Sequence, residues 1–431
     1  IVSGETGSGK STQVPQFLYE AGLCGPAGLR IAVTQPRRVA VVATAERVAA
    51  ELGAPSPSDS NNALVGFRTR YDRGGLGDAT RVVFETDGVL LRELQSDLLL
   101  RSCGAVVLDE AHERSLNTDV LLGLLSRAAP LRRRHFAESV ARGETNPLPP
   151  LKVVIMSATL DVASLRANTR LWGSDAAPLA VEVEGRRFPV TTRFARATAV
   201  DYQEAAIAKV SQIHTSLPDG RILVFVTGKK EIDEICDALQ TAHGSTVDAC
   251  PLHAKLPLAK QRRAFSAPPP GVRKVVVATD VAETSLTIPD VAYVVDSGRA
   301  KRKVVVDESS GAVAYRVGWI SRAAADQRAG RAGRTGAGHC YRLYSSAIYA
   351  DIFEAAEAPE VVRLPVLDVA LQVKALGVRD VGAFPFPDAP PADAVAAAVD
   401  GLARLGCLED GRDPATAAPS PLGDALARLP A

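Results

Sequence analysis

Apolar and polar positions along the first part of the chain alternate in a way that predicts buried strands separated by amphipathic helices. Apolar runs typical of strands buried on both faces occur at residues 30–34, 82–85, 105–108 and 153–156. Helical patterns occupy residues 39–52 and 118–128. Because such strands occur where helices cover both faces of a parallel sheet, this alternation predicts a parallel α/β domain.

The same alternation returns in the second part of the chain. Strand patterns lie at 221–226, 274–278 and 292–296, and helical patterns lie at 201–216 and 231–241. We therefore expect a second α/β domain of similar size, joined to the first near Glu184. Residues 304–307 and 312–317 flank a short turn that contains glycine, and this arrangement predicts a β-hairpin.

The pattern changes from about Pro359, where prolines separate two helical stretches. These stretches cover 361–376 and the alanine-rich 392–405, and they predict a small third domain that is cut off at Ala431. The predicted domains are therefore 1–183, 184–356 and 357–431. The chain begins with Ile1 and its one methionine is Met156, so we expect a piece of a longer protein.

The composition excludes few classes of protein, but it limits the kinds of binding site that the chain can carry. The chain is 46% hydrophobic and 23% charged, which is ordinary for a soluble globular protein. The formal net charge is +1, so a nucleic-acid site has to be a local feature. The sequence contains no apolar run of about 18 residues, so it does not predict a membrane-spanning helix. The six cysteines form no Cys-x-x-Cys pair, which favours a reducing compartment and argues against a zinc ribbon.

The strongest chemical signal is a complete phosphate-binding loop near the start of the chain. Its glycines allow backbone N–H groups to close around a polyphosphate, Lys10 can reach the β- and γ-phosphates, and the Ser11 hydroxyl can ligate Mg²⁺. We expect ATP to be bound here, with other nucleoside triphosphates also accepted. The candidate nucleotide-binding residues of the loop are Gly4, Thr6, Gly7, Ser8, Gly9, Lys10, Ser11 and Thr12.

A second signal is a pair of carboxylates, Asp109 and Glu110, directly after a buried apolar run. A strand end of this kind is where a phosphate-binding-loop fold places the Mg²⁺ aspartate and the group that activates water. Asp109 and Ser11 are therefore the candidate metal ligands, and Glu110 is the candidate to orient or deprotonate water. Either pattern alone could arise by chance, but their order and separation indicate hydrolysis of a nucleoside triphosphate.

Six further segments are consistent with an enzyme that hydrolyses a nucleoside triphosphate, and together they suggest a family. They are 34–40 (Thr-Gln-Pro-Arg-Arg-Val-Ala), 86–93, 157–159 (Ser-Ala-Thr), 226–228, 278–288 and 327–335. Together with the two signals above, this ordered set resembles the DEAH-box RNA helicases of superfamily 2 over nearly the whole chain. Within that family, 118–131, 157–160, 188–194, 278–289 and 339–346 look most like the DEAH helicase of the small-subunit processome, which acts in ribosome biogenesis.

The resemblance implies a fold of two tandem RecA-like domains with parallel sheets, followed by a truncated winged-helix domain. Arg331 and Arg334 are three residues apart, so they share a helix face and can both point at a γ-phosphate once the domains close. Gln327 resembles the water-positioning glutamine of the family. Arg47 and Phe265 match the pair that sandwiches the base, and because stacking reads no base edge, we expect loose nucleotide specificity.

RNA contacts are expected from hydroxyls, backbone groups and arginines suited to phosphate and sugar oxygens. Such contacts carry no sequence information, but the 2′-OH could give a preference for RNA. The candidate residues are Arg38, Thr86, Arg92, Thr227, Gly228 and Thr284.

Asp280 departs from the family, which usually has asparagine at this position. A carboxylate cannot donate a hydrogen bond, and it repels phosphate, so we leave Asp280 out of the RNA contacts. The change indicates either weakened RNA coupling or a re-routed internal hydrogen bond, and the matching neighbours favour the second.

Other charged residues also have two alternative interpretations. Arg132, Arg133 and Arg134 indicate a solvated loop more often than an RNA patch. His112 belongs to the carboxylate motif and is expected to link the metal site to the opposite domain, unless it is a satisfied core histidine. Glu283 is either an internal salt-bridge partner or a direct functional contact.

These patterns and the resemblance predict an NTP-dependent RNA helicase that moves 3′ to 5′ and remodels RNA or RNA–protein complexes in ribosomal small-subunit biogenesis. The expected partners are RNA, as pre-rRNA or snoRNA duplexes, and a protein activator. We expect a monomer in the nucleus and nucleolus with no membrane partner. The alternatives are a spliceosomal or general DEAH-box helicase and, in another class, a catalytically silent RNA-binding scaffold.

Overall fold

Two sheets of mainly parallel strands organise the chain. The computed structural model describes residues 1–5, 7–25, 28–158, 162–173, 177–185, 188–283, 288–307, 312–409, 411 and 413–429. Two candidate site residues, Thr6 and Thr284, lie outside the described residues, as does Thr159. Among the described residues, no helix combines the length and the apolar character needed to cross a membrane.

The first sheet has the strand order β4-β3-β5-β2-β6-β7-β1-β8, and its neighbours are parallel except for β3 and β4. Its described strands are β1 (Val2–Gly4), β2 (Arg30–Gln35), β3 (Val65–Arg68), β4 (Arg73–Gly74), β5 (Val82–Thr86), β6 (Cys103–Leu108), β7 (Lys152–Ser157) and β8 (Val181–Val183). The four strands predicted from apolar runs are confirmed as β2, β5, β6 and β7. The central residues of β2, β5 and β6 are buried, whereas β7 is partly buried at Val153 and Val154.

The second sheet is parallel throughout and has the order β11-β12-β10-β13-β16-β9. The strands after β8 are β9 (Val190–Phe194), β10 (Arg221–Phe225), β11 (Val247–Leu252), β12 (Arg273–Ala278), β13 (Val291–Asp296), β14 (Arg299–Asp307), β15 (Ala312–Trp319) and β16 (Gly338–Arg342). The antiparallel pair β14–β15 is the predicted hairpin, and it begins five residues earlier than the sequence pattern suggested.

The described helices alternate with these strands. In chain order they are α1 (Lys10–Glu20), α2 (Arg38–Glu51), α3 (Asp87–Ser96), α4 (Leu116–Ala141), α5 (Val162–Ala167), α6 (Thr169–Trp172), α7 (Tyr202–Ser216), α8 (Lys229–His243), α9 (Leu258–Gln261), α10 (Arg322–Ala329), α11 (Ser346–Asp351), α12 (Glu360–Arg363), α13 (Leu367–Ala375), α14 (Ala392–Arg404) and α15 (Pro421–Ala427). Short 3₁₀ turns occupy Ala111–Glu113, Gly244–Thr246, Arg262–Ala264, Asp280–Ala282 and Gly330–Gly333.

Helix α4 corrects the reading of the three consecutive arginines as a solvated loop. The helix continues past Pro130, so these arginines lie within it. Arg132 is fully buried, and its guanidinium donates to the carbonyl oxygens of Pro149 at 2.7 Å and Leu100 at 2.8 Å. It therefore satisfies backbone acceptors inside the first domain, while Arg134 lies on the surface and pairs with Glu138.

The third predicted domain is helical and packs against the first. Its apolar residues Phe384 and Leu402 belong to the same buried core as Leu121 of α4. The single helix predicted over 361–376 is wrong, because the structure has two helices separated at Leu364 and Pro365. A residue before proline is pushed out of the helical region, and this explains the break. The winged-helix assignment and the domain limits remain predictions.

Gly123 in α4 gives a direct test of this packing. A Cβ at Gly123 would lie 2.5 Å from a ring carbon of Phe384, so Gly123→Ala forces the third domain outward. We expect a loss of roughly 1–3 kcal/mol of stability, which exceeds the gain in helix propensity of about 1 kcal/mol. The measurement is a thermal denaturation curve with limited proteolysis of the C-terminal segment.

Gly318→Ala is the matched control, since no heavy atom lies within 4 Å of its added Cβ. It should leave the melting temperature and the proteolysis rate near those of the parent. A Gly123→Ala protein as stable and as protease-resistant as the parent would show that the two domains do not pack as described.

Candidate nucleotide and RNA sites

A pocket of about 680 Å³ lies between the two parallel sheets, and both domains supply its walls. Lys10, Asp109 and Glu110 line it from the first domain, and Phe265 and Arg334 line it from the second. A cleft of this size that combines apolar walls with a few convergent polar groups is typical of a small-molecule site. Sheet topology explains the convergence, because β1 and β6 both end at the same sheet edge, with β7 between them.

The phosphate-binding loop forms one end of the pocket. Gly7 and Gly9 have φ angles of 91° and 85°, a left-handed conformation that favours glycine. The Lys10 ammonium donates to the carbonyl oxygens of Gly4 and Glu5, the latter at 2.8 Å, and to the Ser8 hydroxyl at 3.1 Å. Because α1 begins at Lys10, the positive end of its dipole also faces this loop, which suits an anion.

Asp109 and Ser11 lie close enough to form one metal site. Asp109 is 3% exposed and accepts hydrogen bonds from Gln35 at 2.5 Å and from the Glu110 backbone N–H at 2.8 Å. Burial and the neighbouring Glu110 charge raise the pKa of Asp109, while a hydrogen bond from the Ser11 hydroxyl and the charge of Lys10 oppose the rise. A carboxylate beside a hydroxyl is a set of hard oxygen donors that fits Mg²⁺.

Glu110 occupies an unusual backbone conformation at the end of β6. Its φ angle is 52°, a left-handed value that costs energy for a residue other than glycine. The Glu110 carboxylate lies 3.5 Å from Nδ1 of His112, and the same nitrogen accepts a hydrogen bond from the Ala158 N–H at 3.3 Å. These contacts lie within the first domain, so among the described residues they do not supply the expected link from His112 to the second domain.

Of the two arginines of the second domain, Arg334 reaches the phosphate-binding loop, whereas Arg331 is buried within range of the Glu110 charge. The Nε atom of Arg334 would lie 3.8 Å from a Cβ built on Gly7, so this side chain covers the loop across the cleft. Arg331 is 3% exposed, and burial together with the charge of Arg334 lowers its pKa, while the charge of Glu110 opposes that change. Both arginines therefore belong to the charged environment around Glu110.

Gln327 lies on α10, four residues before Arg331, and is half-buried. Neither Gln327 nor Arg331 is among the described residues that line the pocket, whereas Arg334 is. The structure therefore brings Arg334 to the pocket wall and leaves the water-positioning role of Gln327 as a prediction.

Arg47 and Phe265 both line the far end of the pocket, on opposite domains. The exposed Arg47 side chain donates from Nε to Glu51 at 2.5 Å. Glu51 also accepts from Gln13 at 2.8 Å and Gln16 at 2.7 Å, so it ties Arg47 to helix α1. Sequence reasoning missed Glu51, although its position four residues after Arg47 on one helix was a usable signal.

The first-domain RNA candidates gather at the carboxyl edge of the first sheet. Thr86 pairs in register with Gln35 on the neighbouring strand, and Arg38 begins the helix that follows that strand. Arg38 is exposed and its guanidinium lies 5.6 Å from the ring centre of Tyr71. Arg92 is also exposed and donates to the Gly88 carbonyl at 3.1 Å.

The RNA-binding candidates of the second domain offer mainly backbone groups for contact with RNA. Thr227 is 5% exposed, and both its hydroxyl and its backbone N–H donate to Glu231, at 2.5 Å and 2.9 Å. Gly228 caps α8, and no heavy atom lies within 4 Å of a Cβ built there. The open backbone of Gly228 and the helix N-terminus behind it are therefore better placed for a phosphate than the Thr227 hydroxyl.

Comparison with known families and structures shows which proteins this chain is similar to. Residues 1–167 match the family described as DEAD/DEAH box helicase, and residues 205–336 match the helicase conserved C-terminal domain. The chain belongs to the DEAH-box helicase family. Its two domains are the RecA-like pair of that family, as the crystal structure of the Escherichia coli DEAH/RHA helicase HrpB also indicates. That structure matches with a TM-score of 0.80 and 33% identity over 98% of this chain and 49% of HrpB.

Curated relatives match nearly the whole of this DEAH-box chain. The Saccharomyces cerevisiae protein named Probable ATP-dependent RNA helicase DHR1 is 39% identical over 95% of the chain and 38% of its own length. The Homo sapiens protein named Probable ATP-dependent RNA helicase DHX37 is 40% identical over 95% of the chain and 41% of its own length. The chain thus spans about two fifths of these relatives.

The position of Glu110 makes a first prediction about chemistry. Glu110→Gln removes the carboxylate but leaves the loop, Lys10 and Ser11 in place. We expect turnover to fall by ~10²–10⁴-fold while ATP still binds, because loss of a group that accepts a proton commonly has that effect. The measurements are steady-state phosphate release and equilibrium binding of a fluorescent ATP analogue. Hydrolysis within a few fold of the parent would show that Glu110 is not the base.

Proposed function

We propose that this chain is the catalytic core of an ATP-dependent RNA helicase that translocates 3′ to 5′. The observation that carries the proposal is Arg334, which reaches from the second domain to Gly7 of the phosphate-binding loop. Hydrolysis that needs groups from both domains is thereby coupled to their movement. The relatives' names, which describe ATP-dependent RNA helicases, support the helicase part of this proposal, whereas the direction of movement rests on the family resemblance.

The proposed hydrolysis assigns one role to each group around the loop. Lys10 and the backbone N–H groups hold the phosphates, and Ser11 and Asp109 would hold Mg²⁺, which when bound neutralises phosphate charge. Glu110 accepts the proton of the attacking water, and Gln327 orients that water. Arg331 and Arg334 stabilise the charge that develops on the transferred phosphoryl group. Catalysis of this kind is mostly positioning and electrostatic stabilisation.

The proposed RNA path crosses both domains outside the nucleotide pocket. Arg38, Thr86 and Arg92 bind phosphate and sugar oxygens on the first domain, and Thr227, Gly228 and Thr284 do so on the second. Their chemistry reads the backbone and not the bases, so the target is set elsewhere.

The proposed biological role is remodelling of pre-rRNA or snoRNA duplexes during small-subunit biogenesis in the nucleolus, with a protein activator and the chain as a monomer. This role rests on the sequence resemblance to the processome helicase. A spliceosomal or general DEAH-box helicase would use the same chemistry, and assays on different RNA substrates would separate them. A silent scaffold is disfavoured because Lys10, Glu110, Gln327, Arg331 and Arg334 are all present.

Nucleotide specificity tests the proposed base site. If Arg47 and Phe265 grip the base by stacking alone, ATP, GTP, CTP and UTP should be hydrolysed with comparable kcat/KM. A buried hydrogen-bond readout could give discrimination of ~10⁴–10⁵-fold, whereas stacking gives little. Phosphate release measured with each nucleotide decides the matter. A preference for ATP beyond about a hundredfold would contradict the stacking assignment.

Arg334→Ala tests the coupling between the domains. We expect RNA-stimulated hydrolysis to fall by ~10³–10⁵-fold, because an arginine that stabilises transition-state charge has an effect of that size. RNA affinity without nucleotide, and its salt dependence, should remain near those of the parent, since the proposed phosphate contacts lie elsewhere. The measurements are phosphate release against RNA concentration and RNA binding against salt.

Arg134→Ala is the matched control, because this exposed arginine pairs only with Glu138 on its own helix among the described contacts. It should change neither hydrolysis nor RNA binding. If RNA affinity and the salt slope collapse together with hydrolysis in Arg334→Ala, Arg334 is an RNA ligand and not a γ-phosphate contact.

A further inference from the structure

An ion pair bridges the two domains beside the RNA candidates. Arg37 of the first domain donates from Nη1 to Oδ2 of Asp280 in the second domain at 3.3 Å. The Arg37 side chain is largely buried, whereas that of Asp280 is about half exposed. The re-routed internal contact that the sequence left open for Asp280 is therefore present, and its partner lies across the cleft.

Arg37 also holds the loop that carries the catalytic carboxylate. Its Nε atom donates to Glu113 at 3.3 Å, and Glu113 ends the 3₁₀ turn that begins one residue after Glu110. Burial opposes the charge on Arg37, but Glu113, Asp280 and Glu283 outweigh burial and raise its pKa. The guanidinium therefore stays charged between carboxylates from both domains.

In the second domain, the segment that contains Asp280 is anchored to helix α10, which precedes Arg331 and Arg334. Glu283 donates its backbone N–H to the Asp280 carbonyl at 2.9 Å, and its carboxylate pairs with Arg328 at 2.8 Å. Arg328 is fully buried and pairs also with Asp296 at 2.8 Å. The reading of Glu283 as an internal salt-bridge partner is thus correct. Arg331 follows Arg328 by about one turn and feels the charge of Glu110, so this series of charged residues leads towards the loop that carries Glu110.

We propose that Asp280 is a positioning residue that draws the second domain onto the loop after Glu110 through Arg37, so that Arg334 is placed before RNA binds. The proposal rests on the ATPase function proposed above. An asparagine at this position is similar in size but carries no charge, so it cannot form the ion pair. This chain should therefore show a higher hydrolysis rate without RNA, and a smaller stimulation by RNA, than its own Asp280→Asn variant.

The first measurement is phosphate release by the parent and by Asp280→Asn, with and without a single-stranded RNA. We expect the RNA-free kcat to fall about two- to fivefold in the variant, the effect of a partly exposed ion pair on a closing equilibrium. KM for ATP and the rate at saturating RNA should change less, so the stimulation by RNA should rise. Asp219→Asn, an exposed partner of Arg273 within the second domain, is the control and should change neither rate.

Salt dependence and a double-mutant cycle separate the ion pair from a general structural effect. The RNA-free rate of the parent should fall between about 50 and about 300 mM salt more steeply than that of Asp280→Asn, because salt screens the pair. Arg37→Gln combined with Asp280→Asn should lower the RNA-free rate no further than Arg37→Gln alone. Equal salt slopes, or additive losses, would overturn the proposal.

A readout without catalysis keeps this proposal separate from the proposed function. Dyes placed at Arg134 and Lys230, both exposed and on different domains, report the interdomain distance by energy transfer without nucleotide. Asp280→Asn should increase the open fraction at low salt, and Asp219→Asn should not. If the parent hydrolyses no ATP yet the distance shifts, the ATPase function fails and the bridge stands. An unchanged distance distribution overturns the bridge whether or not ATP is hydrolysed.

Discussion

The carboxyl edge of a parallel sheet is the constraint on which the nucleotide site depends. Strands that run in one direction end together, so the loops after β1 and β6 meet even though they are far apart in sequence. This edge brings Lys10 and Ser11 to Asp109, and left-handed glycines let the intervening backbone turn tightly enough to face a phosphate. Strand β6, which is buried along its whole length, fixes Asp109 because it cannot shift without disturbing the close packing around it.

Charge across the cleft is the second organising interaction. The second domain carries Arg328, Arg331 and Arg334 in a short segment, and two of them are almost fully buried. Buried guanidinium groups are costly without nearby carboxylates, and here these come from both domains. The contact between the domains therefore includes an ion pair as well as apolar packing.

The third helical segment extends the first domain and does not stand apart from it. Its core is continuous with that of α4, and Arg114, which follows the carboxylate motif, pairs with Asp119 of α4 and with Asp388 of the third segment. The loop that carries Glu110 also contains Glu113 and Arg114, which pair with Arg37 and with Asp119. Arg37 and Arg114 also link this loop to Asp280 of the second domain and to Asp388 of the third segment.

The sequence by itself determined the two parallel sheets, the phosphate-binding loop and the carboxylate pair, because each depends on local periodicity or on the conformational needs of a few adjacent residues. It also brought Arg47 and Phe265 forward as a pair, though only through family resemblance. Tertiary structure decided that Arg132 is buried, since its acceptors on Leu100 and Pro149 lie far from it along the chain. Thr227 donates its hydroxyl to Glu231 only four residues further on, but this contact depends on the folded turn between β10 and α8.

The contact of Arg37 with Asp280 was likewise decided by the way two sheets face each other. A linear pattern gives the charge of each residue but not the distance between elements that pack only after both domains have folded. For that reason the sequence could identify Asp280 as a departure from its family, whereas only the folded chain supplied its partner across the cleft.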